Sequence, residues 1–170
     1  ACGVTPPGGA FLSSSGTDLV RGPDGAWKVL ADRAQAPSGK GYALENRTIL
    51  ANVLGDLFDA CHVQRLAGFF DSERDCLRLL APTRRGTPSV VMMTPGPMNE
   101  TYFEHAYKAR SMGYPLVEGA DLTVRDRKLY LKTLDGLRRV DVALRHVDDS
   151  YADPLELNAE TWLGVAGLCE

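Results

Sequence analysis

The sequence predicts an α/β fold, a mostly parallel central sheet flanked by helices, with β-hairpins at the start and after a central βαβ unit. Three observations carry this. Ser89-Val90-Val91-Met92-Met93-Thr94 is a short apolar run rich in β-formers, of the length expected for a strand buried on both faces. Thr94-Pro95-Gly96-Pro97 breaks that run, since proline cannot donate to a ladder and glycine permits the turn. A helix then fits 99–112, with Tyr102, Phe103, Ala106, Tyr107 and Met112 at helical spacing, before Gly113 stops it and 114–118 resumes as a strand. That unit has about 30 residues, the size of one βαβ crossover.

A chain of 170 residues suits one domain or a compact piece of a larger enzyme. Its 44% hydrophobic and 24% charged residues are ordinary for a globular chain. The net charge of −3 argues against a nucleic-acid surface, and Arg84-Arg85 and Arg138-Arg139 are too short to be basic patches. Cys2, Cys61, Cys76 and Cys169 form no C-x-x-C pair, which points to a reduced, cytoplasmic setting without structural zinc. Neither a membrane-spanning run nor a signal peptide is visible in the sequence, so no membrane partner is expected.

In chain order, 1–16 is rich in Gly, Pro and Ser and reads as loop or disorder. Residues 17–21 and 26–31 are the arms of a hairpin around Pro23-Asp24-Gly25. A polar loop, 32–42, leads to a helix over 43–58 with Leu50, Val53, Leu54, Leu57 and Phe58 on its buried side. A second helix, 69–81, puts Phe69, Phe70, Glu73, Cys76, Leu77 and Leu80 along one face. The loop 82–88 enters the central strand. Residues 121–125 and 128–132 form a second hairpin turning at Asp126-Arg127, and 138–145 is one further strand. An acidic loop, 148–157, precedes a short final segment that nothing caps, so the chain looks cut there.

Four stretches hold candidate functional residues. Ser38, Gly39 and Lys40 precede a helix, where backbone N–H groups and the helix dipole can cradle an anion, although the spacing is not that of a Walker loop. The alternative is a plain loop. Glu45, Asn46 and Arg47 place a carboxylate, an amide and a guanidinium in one helical turn, either a functional cluster or a solvated face. Thr94 and Gly96, with Asn99 and Glu100 at the start of the next helix, lie at a strand's carboxyl end, where open α/β sheets gather ligands. They fit a ligand loop or simply a sharp turn. Arg145 opens Arg145-His146-Val147-Asp148-Asp149, suited to a cation, an amine or a salt-bridged loop. His62, His105 and His146 show no ligand spacing, and His105 is expected to face solvent.

Several blocks then fall in a recognisable order: Asp18-Leu19-Val20-Arg21, Leu30 to Gly39, Tyr42-Ala43-Leu44-Glu45-Asn46-Arg47, Thr94-Pro95-Gly96-Pro97, Asn99-Glu100-Thr101-Tyr102-Phe103-Glu104-His105-Ala106, Leu116 to Leu122, and Asp153-Pro154-Leu155-Glu156-Leu157. The series resembles the circularly permuted ATP-grasp proteins of bacteria, relatives of glutathionylspermidine synthase. The resemblance implies ATP-dependent joining of a carboxylate to an amine through an acyl-phosphate, with ATP and Mg2+ as cofactors of the full-length protein and a small-molecule or peptide substrate. It implies a partial ATP-grasp subdomain over 17–60, a pre-ATP-grasp α/β domain over 61–170, and the remaining ATP-grasp subdomain as a partner on the same polypeptide. No tightly bound cofactor is expected on this stretch alone.

The family pattern places a Glu and an Asn, two residues apart, after an upstream Asp as magnesium ligands. Asp18 matches the upstream Asp, but Ala31 and Arg33 occupy the other positions. Asp32 lies between them. Turn chemistry sets Asp18 opposite Leu30, so that Asp18 and Asp32 share a face and flank a cation weakly; the other parity pairs Arg33 with Asp18. The alternative to a ligase is therefore a non-catalytic ATP-grasp-like binding or scaffold module lacking a competent magnesium site.

Overall fold

The structure, a computed structural model, describes residues 5, 6, 9, 11–82 and 86–170. Cys2, Arg84-Arg85, and part of the 1–16 start and of the 82–88 loop lie outside the described residues. The chain runs β1 (Gly16–Arg21), β2 (Trp27–Arg33), α1 (Lys40–Val53), α2 (Gly55–Ala60), α3 (Ala67–Leu80), β3 (Val90–Met93), α4 (Tyr102–Met112), β4 (Leu116–Val117), β5 (Leu122–Arg125), β6 (Lys128–Thr133), β7 (Gly136–Arg139) and β8 (Val142–Arg145). No helix among the described residues is long and apolar enough to cross a membrane.

β3 lies between β4 and β8 and is parallel to both. Its residues alternate between two cores, as the two-residue period of a strand requires. Val90 and Met92 pack with Phe70 and Leu77 of α3 and Ala109 and Met112 of α4. Val91 and Met93 pack with Val117, Leu122, Val140, Val147 and Val165 on the opposite face. Among the described residues parallel pairing is confined to these three strands; β1–β2 and β5–β6–β7 are antiparallel, so the sheet content is less parallel than the sequence suggests.

Two elements expected to be continuous are split. Residues 138–145 divide between β7, which pairs with β6, and β8, which pairs with β3. The break falls at Asp141, whose carboxylate accepts the Ser89 N–H at 2.9 Å, while Val140 N–H bonds to Leu129 O at 2.9 Å. Val140 thus belongs to one core and Val142 and Leu144 to the other. The helix expected over 43–58 begins earlier and breaks at Leu54 into α1 and α2. Leu50, Val53, Leu54 and Leu57 are exposed there, and only Gly41 of α1 is buried. The 3.6-residue periodicity was real, but among the described residues nothing covers that face.

The final segment is held down. Asp153 is fully buried, and its carboxylate accepts N–H bonds from Leu155, Gly167 and Cys169 at 2.9, 3.1 and 2.8 Å. Burial pushes its pKa up, but those three donors outweigh burial and hold the carboxyl below its ordinary range.

Candidate functional site

The carboxyl ends of β3, β4 and β8 meet at one edge, where Thr94, Glu118 and His146 leave the sheet. Beside His146 a cleft of about 150 Å³ is lined by Ser14, Pro37, Lys40, Glu73, Lys108, Arg145 and His146, with Phe11, Leu12 and Leu144 among its apolar walls. Three cations and one carboxylate face it. Glu73 Oε1 accepts from Lys108 Nζ at 2.8 Å and from Lys40 Nζ at 3.2 Å, and Lys40 also bonds to Ser14 Oγ. Lys108 is only 1% exposed, and burial holds its pKa below the ordinary lysine value although Glu73 opposes that.

Sequence reasoning missed Glu73 and Lys108, yet each left a signal. Glu73 is the one charge on the apolar stripe of α3, and Lys108 lies on the α4 face carrying Met112 and Glu104. A charge on a buried stripe needs a partner, and these two find each other.

Lys40 reaches the cleft because α1 docks by its first turn. Glu104 is 1% exposed and accepts Gly39 N–H at 2.5 Å and Gly41 N–H at 3.3 Å, so a carboxylate from α4 satisfies the N-terminal donors of α1. The expected anion cradle at Ser38, Gly39 and Lys40 is thus occupied by Glu104, and Lys40 is its member that faces the cleft. Ser38 is exposed. Gly41 must lack a side chain, for a Cβ there would lie 2.8 Å from Glu104 Cγ and 3.3 Å from its Cα. Gly41→Ala is expected to push α1 off α4 and lower stability by about 1–3 kcal/mol; an unchanged urea midpoint would show that the helices yield freely.

A relay of bonds lies behind the cleft. Gly96 N–H bonds to Thr94 Oγ1 at 3.2 Å, and Thr94 Oγ1 to His105 Nδ1 at 2.9 Å; His105 Nε2 bonds to Thr101 Oγ1 at 3.2 Å, and Thr101 Oγ1 to Asn99 Oδ1 at 2.6 Å. Each hydroxyl has one proton. Because Asn99 Oδ1 is an acceptor, Thr101 gives its proton there and accepts from His105 Nε2–H; in the neutral ring, which burial favours by lowering the pKa, Nδ1 then accepts from Thr94. His105 is 2% exposed, not solvent-facing as expected. It stacks on His146 at 4.3 Å between centroids. Burial, with the neighbouring His105, Lys108 and Lys40, lowers His146 to a pKa of about 3. Asn99, expected at the start of the helix, lies before α4, and its Oδ1 accepts the Thr101 N–H at 2.9 Å.

The other predicted residues fall elsewhere. Gly96, at φ 101, faces the Glu118 carboxylate, which a Cβ would meet at 3.2 Å; only glycine sits there without strain. Glu100 and Asn46 are exposed. Glu45 raises the pKa of the Tyr107 phenol. Arg47 donates to Gln64 O at 2.7 Å and stands over the Phe58 ring at 5.8 Å, so it helps fold the helices it joins. Arg145 lines the cleft and donates to Val147 O.

The hairpin departs from the expected register. Arg21 faces Trp27 and Leu19 faces Val29, as the turn dictates, but a bulge then sets Asp18 opposite Ala31 and leaves Leu30 as the extra residue. One extra residue reverses the parity beyond it. Arg33 therefore shares Asp18's face and holds its carboxylate at 2.8 Å, while Asp32 faces the other way and accepts from Thr17 Oγ1 at 2.8 Å. Magnesium needs several oxygen ligands. Here Ala31 offers none, Asp18 is engaged by a guanidinium and Asp32 lies on the other face, so these residues do not fit that ion.

The family model described as circularly permuted ATP-grasp type 2 matches residues 1–170. The chain belongs to that family. It is 43% identical over 168 residues to an uncharacterised protein of Mycobacterium tuberculosis, covering 99% of this chain and 30% of that protein. A second uncharacterised M. tuberculosis protein is 46% identical over 170 residues, covering all of this chain and 19% of the relative. One from Synechocystis is 42% identical over 168 residues, covering 99% and 35%. The chain thus spans between a fifth and about a third of these relatives. ATP-grasp families carry ATP-dependent ligase-type chemistry and generally use ATP and Mg2+.

Proposed function

We propose that this ATP-grasp chain is part of a carboxylate–amine ligase that works through an acyl-phosphate on a peptide or amino-acid substrate. The observation that carries this reading is the cation-rich cleft at the carboxyl edge of a parallel sheet, where such folds gather ligands. In the reaction a substrate carboxylate oxygen takes the γ-phosphoryl group of ATP and ADP leaves. The amine then attacks the acyl carbon, and phosphate departs as the amide forms. This chain's part is to bind and orient: Lys40, Lys108 and Arg145 hold negative charge. Residues 17–60 act as part of one ATP-grasp subdomain and 61–170 as the pre-ATP-grasp domain, with the other subdomain supplied by the same polypeptide.

A second reading, a non-catalytic ATP-grasp-like binding or scaffold module, is favoured by the Asp18–Arg33 pair. ADP release by the full-length protein separates the two. The ligase reading expects release that depends on an added amine and matches amide formation; ATP binding with no release across amino acids and amines supports the module. For the 170-residue chain alone, calorimetry with Mg-ATP is expected to give a dissociation constant no tighter than about 10 μM, roughly 7 kcal/mol of binding.

A further inference from the structure

We propose that the Lys40–Glu73–Arg145 cleft is a site for a small zwitterion, the α-ammonium and α-carboxylate of an amino acid. Two buried atoms point to a ligand. Glu73 Oε2 and His146 Nε2 have no hydrogen-bond partner among the described residues, and their residues are 8% and 9% exposed. Buried polar atoms left unpaired are rare in folded proteins and need an explanation. Both residues line the cleft, whose volume of about 150 Å³ holds roughly five waters at about 30 Å³ each. That is also the room needed for the backbone of an amino acid.

The charges select the ligand. Both lysines bond to the same oxygen of Glu73, so its other oxygen still requires an N–H donor. Lys40, Lys108 and Arg145 against one Glu73 leave an excess of positive charge facing the cleft, which requires an anion. A simple anion such as phosphate meets the second need and is repelled by Glu73 Oε2. A simple amine meets the first and is repelled by the cations. A zwitterion meets both, with its carboxylate toward Lys40 and Arg145 and its ammonium on Glu73 Oε2.

This deepens the ligase reading by naming the group the cleft holds, but its test needs no nucleotide, so the two fail separately. Glycine and L-alanine, acetate, methylammonium and inorganic phosphate are each titrated into the protein and followed by calorimetry or amide chemical shifts. The expected result is a dissociation constant below about 1 mM for an amino acid, at least ten-fold tighter than for acetate or methylammonium. Glu73→Gln is expected to remove the preference for the zwitterion over acetate, and Arg145→Met to weaken both ten-fold. If Glu73→Gln does not fold, Arg145→Met and Lys40→Met, checked for native thermal unfolding, carry the test. Tighter binding of phosphate or acetate, no saturation by either amino acid, or amino-acid binding unchanged in Arg145→Met and Lys40→Met overturns the proposal.

Discussion

Glu73→Ala is expected to cost about 3–5 kcal/mol of folding stability, the usual range for removing one partner of a buried ion pair. The reason is what stays behind. Lys108, 1% exposed, loses the carboxylate bonded to it at 2.8 Å. Lys40 suffers less, being more exposed and able to keep its bond to Ser14. Removing both buried charges should cost far less than removing one, because replacing a buried pair by apolar groups of similar size is often neutral or stabilising. The double variant Glu73→Leu with Lys108→Met is therefore expected to lie closer to the parent than Glu73→Ala does. Urea midpoints of the three proteins decide it. Equal losses in the single and double variants would show that packing volume, not the orphaned charge, sets the cost.

The parts of the fold legible in the sequence were those fixed by local pattern. Val90 to Met93 read as a strand buried on both faces, and its four residues divide between two cores. The helix before Gly113 and the hairpin at Asp126-Arg127, both of which have positive φ, follow from spacing and turn chemistry. What the sequence hid was long-range. The bulge in the first hairpin leaves the turn register intact and reverses only the residues beyond it, so turn chemistry alone put Asp18 opposite Leu30 instead of Ala31. The split at Asp141 depends on a bond to Ser89, 52 residues away. Lys40 and Arg145 were each singled out for local reasons, but nothing local shows that they face one cleft or that Glu73 stands between the lysines. The stripe on α1 and α2 reads as a buried side, but Leu50, Val53, Leu54 and Leu57 are exposed, because among the described residues nothing covers it.

The second large effect is loss of stability in mild acid. His146 has a folded pKa of about 3 against 6.5 when free. Between those values the unfolded chain binds a proton that the folded chain refuses, so lowering the pH favours unfolding. Stability from this group is fully present above about pH 6.5 and falls by about 1.4 kcal/mol per pH unit below it. His105 acts in the same direction, because its Nδ1 accepts the Thr94 hydroxyl and protonation would end that bond. Its neighbours Glu104 and Lys108 oppose each other, the first favouring the proton and the second resisting it. Asp153 adds a loss only at lower pH, since its carboxyl is held below the ordinary range. The window from pH 6.5 to 4 therefore belongs mainly to the two stacked histidines. His146→Phe keeps an aromatic ring against His105 and removes one titration, so urea midpoints at pH 7, 6, 5 and 4 should fall less steeply than in the parent. A parent protein equally stable at pH 7 and pH 5, or a His146→Phe variant with the full slope, would mean that the rings take up protons without leaving their stack.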